Sequence, residues 1–82
     1  MKITIMGGGC AKCKQLLQLV KLAVKNQNIE ANIEYVTDFE KIAKAGLMTT
    51  PGLLVDGKLV SAGKVPSLEE IERLIIKENN GD

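Results

Sequence analysis

The chain has 82 residues, enough for one domain and too few for two, with 45% hydrophobic residues to fill a core. Its aromatic side chains are Tyr35 and Phe39 alone, so that core is aliphatic and nucleobases would find almost nothing to stack on. Eleven basic against ten acidic side chains leave a net charge of +1, which supplies no broad field for nucleic acid or anionic lipid. The absence of His excludes Ser-His and Cys-His catalysis, and two cysteines cannot complete a four-ligand zinc site within one chain.

Lys2-Ile3-Thr4-Ile5-Met6 alternates polar and apolar around β-branched residues and stops at Gly7-Gly8-Gly9, which predicts a first strand. Beyond the glycines, Lys14, Gln18, Lys21 and Lys25 mark a narrow polar stripe on an otherwise apolar helix, which suits packing against a sheet with other elements alongside. Asn26-Gln27-Asn28 ends it. Ala31 to Val36 predicts a second short strand, and Thr37 with Glu40 forms a capping box for a short helix whose face is Phe39, Ile42 and Ala43, closed by Gly46. Leu53-Leu54-Val55 and Lys58-Leu59-Val60 flank Asp56-Gly57, the pair that favours a type I′ hairpin. Ser67 caps a last helix with Glu70 at its third position and Leu68, Ile71, Leu74 and Ile75 on its apolar face. Residues 79–82 are expected to fray.

The order β-α-β-α-β-β-α predicts a single α/β domain over residues 1–82. A helical crossover makes the first two strands parallel, and the two-residue turn makes the last two antiparallel, so a mixed four-stranded sheet follows. No apolar run approaches the ~20 residues needed to span a bilayer, and Met1 to Met6 does not read as a signal peptide. The expectation is a soluble, cytoplasmic protein that contacts neither membrane nor nucleic acid.

Cys10-Ala11-Lys12-Cys13 stands between the first strand and the first helix. The unpaired N–H groups and positive dipole end of a helix's first turn favour an anion, so a Cys10 thiol there should fall from ~8.5 into the range of ~3.5 to 7.5, with Lys12 and Lys14 adding positive charge. Cys13, one turn further along the same side, can reach back to close a small ring while shielded from solvent. Cys10 is therefore the expected nucleophile and Cys13 the resolving thiol. A structural disulfide would close too small a loop to constrain the unfolded chain much, and two inert buried cysteines fit poorly with glycines that leave Cys10 uncovered. The glycine run lacks the spacing of a phosphate-binding loop.

These residues resemble the thioredoxin-like superfamily, and within it the small archaeal and bacterial redox-active disulfide proteins, of glutaredoxin size. The likeness covers nearly the whole chain. It rests on Gly7-Gly8-Gly9, Cys10-Ala11-Lys12-Cys13, Ala45-Gly46-Leu47 leading to Thr50-Pro51-Gly52, Val55-Asp56-Gly57, and Gly63 before Val65-Pro66-Ser67. The resemblance implies a thioredoxin-like fold with helices on both sheet faces, and a cis Pro51 beside the cysteines whose neighbour Thr50 offers its backbone to a substrate segment. It also implies a thiol-disulfide oxidoreductase that uses the dithiol itself, with no cofactor and no metal, to exchange electrons with protein disulfides and a thioredoxin-reductase-type donor.

Gly9 stands where thioredoxins carry an aromatic residue, and Ala11-Lys12 replaces their Gly-Pro and the Pro-Tyr or Pro-Phe of glutaredoxins. Gly63-Lys64-Val65-Pro66 lacks the acidic pair of a glutathione site, which disfavours glutathione. An apolar rim of Gly9, Ala11, Leu47, Met48 and Val65, with Lys12 and Lys14 nearby, suits an acidic protein surface, and the chain is expected to be monomeric. Two other readings use the same cysteines. One is a Cu(I)-binding module, whose usual strand and helix order differs from this one. The other is a redox-gated interaction protein without general reductase activity.

Overall fold

The computed structural model describes residues 1–9 and 11–79. Four strands, β1 (Lys2–Met6), β2 (Asn32–Val36), β3 (Gly52–Val55) and β4 (Lys58–Ala62), form one sheet in the order β2-β1-β3-β4. β2 runs parallel to β1, while β1 with β3 and β3 with β4 are antiparallel. Three helices, α1 (Ala11–Asn26), α2 (Phe39–Lys44) and α3 (Leu68–Asn79), complete the mixed α/β fold.

The helices divide between the two sheet faces, and each face builds its own apolar cluster. Ile3, Ile5 and Leu53 meet Leu16, Val20 and Ala23 of α1 and Ile71 and Ile75 of α3 on one face. Met6, Val36 and Leu54 meet Ile42 of α2 and Leu47 on the other. Every residue of β3 and four of the five in β1 are therefore buried, and even Thr4, the polar member of the alternation, is covered. Both central strands are sandwiched, which is why the sheet ends rather than its middle are left for function.

Local chemistry explains most element boundaries. Asp56 and Gly57 both take positive φ, 50° and 83°, as a type I′ turn requires, and the Asp56 carboxylate accepts a hydrogen bond from the Lys2 backbone N–H at 2.8 Å. The β3–β4 ladder then slips at Leu53/Leu54, so that Val60 is the extra residue of a bulge. At α3 the Ser67 hydroxyl accepts from the Glu70 N–H at 3.2 Å, as the capping pattern predicts. α2 ends in a Schellman motif, in which the Gly46 N–H reaches the Ala43 carbonyl and the Leu47 N–H reaches Ile42.

Four expectations are corrected. The N-cap of α2 is Asp38, whose carboxylate accepts from the Glu40 N–H at 2.9 Å; the Thr37 capping box does not form because the helix starts one residue later than it requires. Of the face assigned to α2 only Ile42 is buried, while Ala43 is exposed and Phe39 is 70% exposed, since six residues present a single inward position. β2 begins at Asn32, not Ala31, where pairing with Lys2 starts. α3 extends to Asn79, one residue beyond the expected helix end; residues 80–82 lie outside the described residues.

Candidate active site

The C-terminal end of β1 carries the glycine run, and β1's neighbours bring the other expected site residues to the same end of the sheet. The Gly7 N–H donates to the Val36 carbonyl at 3.0 Å, which extends the β1–β2 ladder one residue into the loop. α1 follows at Ala11, held by Cys13, Leu16, Val20 and Ala23, which recur at helical spacing and are buried along one stripe. That anchoring fixes Cys13 inside: it has no solvent exposure at all. Cys10, the expected nucleophile, lies outside the described residues.

Gly7 packs against Cys13. A Cβ built on Gly7 would fall on the Cys13 Sγ, 3.1 Å from its Cβ and 3.9 Å from the Pro51 Cα. Cys13 and Pro51, distant in sequence, thus approach the same glycine from α1 and from the entry to β3. The Thr50–Pro51 peptide bond is cis. Pro51 is buried and its carbonyl accepts from the Gly63 N–H at 2.9 Å, which ties the segment before β3 to the end of β4, while Thr49 and Thr50 stay exposed. A Cβ on Gly63 would come within 2.5 Å of the Thr49 hydroxyl oxygen, so these two segments touch closely.

Gly8, Gly9, Ala11 and Lys12 are all exposed, and Gly9 has φ 84°. The first turn of α1 holds no acidic residue, so its positive end is not neutralised from within the helix. Around this opening the apolar rim is not the expected one. Leu47 is 6% exposed and packs beneath α2, so it contributes nothing to the surface. Met48 is 96% exposed, and the residue that joins it is Phe39, whose ring tip would lie 3.1 Å from a Cβ on Gly8. Periodicity assigned Phe39 to the core; the signal that places it outside is Asp38, which as N-cap makes Phe39 the first residue of α2.

The residues brought together are therefore Cys13, Gly7 and Pro51, with Thr50, Gly9 and Lys12 exposed around the same opening. The Cys13 sulfur is buried against Gly7, itself buried, while Gly8 and Gly9 beyond it are exposed. Lys14 is exposed further along α1. No described helix is long and apolar enough to cross a membrane.

Residues 1–76 match the sequence family described as Thioredoxin domain. The chain is 44% identical over 75 residues to a protein named thioredoxin from Methanothermobacter thermautotrophicus, covering 92% of this chain and 97% of that protein. It is 46% identical over 70 residues to a thioredoxin from Methanocaldococcus jannaschii, covering 85% of this chain and 80% of that one.

Proposed function

The chain belongs to the thioredoxin-domain family, and from that premise we propose that it is a thiol-disulfide oxidoreductase acting on protein disulfides through Cys10 and Cys13. The Cys10 thiolate attacks one sulfur of a partner disulfide and expels the other as a thiolate, leaving a mixed disulfide. The Cys13 thiolate then attacks the Cys10 sulfur and releases the second partner thiol. Two electrons and two protons pass to the partner, and the chain keeps an internal Cys10–Cys13 disulfide until a reductase reverses the sequence. No further cofactor enters the balance.

The observation that carries this reading is the complete burial of Cys13 against Gly7, with Pro51 close to the same glycine. A sulfur so enclosed is unsuited to first attack on a bulky partner and well placed for the second, internal step. Thr50 and Pro51 form the proposed rest for the substrate backbone, because Thr50 is exposed while the Pro51 carbonyl is already engaged by Gly63. Lys12 supports the thiolate by charge, and Gly9 leaves room for the partner chain. The electron donor proposed is a thioredoxin-reductase-type protein, the working state a monomer, and the compartment the reducing cytoplasm.

The test is trapping. Cys13→Ser should accumulate a covalent adduct with a disulfide-bearing protein, reversible by dithiothreitol, whereas Cys10→Ser should form none. Iodoacetamide should modify Cys10 faster than Cys13 in the native reduced protein. Faster labelling of Cys13, or adducts formed through Cys13 in the Cys10→Ser variant, would invert the roles.

A further inference from the structure

Beside the opening, α1 and the loop from β4 to α3 enclose a cleft of about 520 Å³ whose composition the exchange chemistry does not require. Lys12, Gln15 and Leu19 line one wall at helical spacing, and Lys64, Val65 and Leu68 line the other. Leu19, Val65 and Leu68 are half-buried and pack on the main core, so the floor is apolar and fixed from below. Lys12, Gln15 and Lys64 are exposed above it. Each wall thus sets one ammonium over a shared aliphatic floor, a pattern that spacing alone hid, since Lys12 and Lys64 are far apart in sequence and Lys14, the other lysine expected to matter, does not line the cleft.

We infer that this cleft binds an acidic peptide segment adjoining the partner's disulfide, with aliphatic stems on the floor and carboxylates toward Lys12 and Lys64. The inference rests on the thiol-disulfide reading for the identity of that partner. Charge complementarity selects the occupant. Lys12 has no ion-pair partner among the described residues, and Lys64 is held only by Glu70 at 3.6 Å, with both side chains about half exposed. So exposed a pair is weak and can be exchanged for an incoming carboxylate. Glu70 is then the built-in competitor: it holds Lys64 when the cleft is empty and repels the ligand when it is filled. Lys12 adjoins Cys13 in sequence, and Gly63, whose N–H bonds the Pro51 carbonyl, also lines the cleft, so a segment seated here borders the loop that carries the proposed substrate rest.

The experiment compares two synthetic peptides with the same internal disulfide, one flanked by Glu and one by Gln, as substrates of the reduced protein at low ionic strength. The Glu peptide should react about fivefold faster, the scale of one or two exposed charge pairs, and the advantage should vanish near ~1 M salt. Lys64→Glu should bring the ratio below one. Glu70→Gln should raise it, a gain that a folding defect cannot mimic. In parallel, a cysteine-free Glu peptide should shift the amide resonances of Gln15, Lys64 and Leu68. Equal rates for the two peptides with no such shifts would overturn the inference, as would shifts produced by glutathione and not by the peptide. Shifts at those amides without reduction of either peptide would sustain the cleft while refuting the exchange reading on which the partner's identity depends.

Discussion

At Gly7 a single methyl group separates a workable site from a blocked one. Any side chain there would displace the Cys13 sulfur, and the buried wall behind it offers no room. Gly7→Ala should therefore cost about 1–3 kcal/mol by overpacking and slow closure of the Cys10–Cys13 ring. Urea denaturation of the reduced protein checks the first effect. Gly8→Ala is the comparison, because its new Cβ meets only the tip of the exposed Phe39 ring, which can swing aside at little cost. A different residue shows the opposite sign. The Ser61 hydroxyl is buried with no hydrogen-bond partner among the described residues, so Ser61→Ala should leave stability unchanged or raise it by roughly 1 kcal/mol, read from the same denaturation midpoint. A loss of stability would mean that the hydroxyl has a role the packing does not reveal.

The short α2 depends on its ends more than on its length. Six residues cannot sustain a helix by propensity, so Asp38 at the start, the Schellman bonds at the finish and Ile42 beneath must hold it. Asp38→Ala should cost about 1 kcal/mol. The amides of Glu40 and Ile42 should lose hydrogen-exchange protection more than those of α1. The elements legible in the sequence were those fixed by local chemistry: the Asp56-Gly57 turn, the Ser67 cap and the apolar face of α3. The start of α2 was ambiguous because Thr37 and Asp38 are both competent caps, and the structure uses the second, whose carboxylate accepts from the Glu40 N–H. The bulge at Val60 was illegible for a related reason, since a register slip is decided between strands and not within one.

Across the whole molecule, a strand-helix junction and a strand entry distant in sequence meet because β1 and β3 are adjacent at the centre of the sheet. That adjacency brings Pro51 to the glycine that Cys13 packs against, while β4 brings Gly63 and the cleft loop alongside. The burial of Cys13 was legible from its place on the inner stripe of α1. The cleft was not, because helical periodicity places Lys12, Gln15 and Leu19 on one face without saying what stands opposite.

Redox titration of the Cys10/Cys13 couple in graded thiol-disulfide buffers bears most directly on the proposed chemistry. The expected result is one internal disulfide that forms and opens as a two-electron couple, tenfold in equilibrium constant for each ~30 mV, with a potential within the ~−270 to −120 mV spanned by dithiol carriers. A bridge that resists reduction below about −300 mV, as structural disulfides do, or two thiols that never join at any potential, would contradict it.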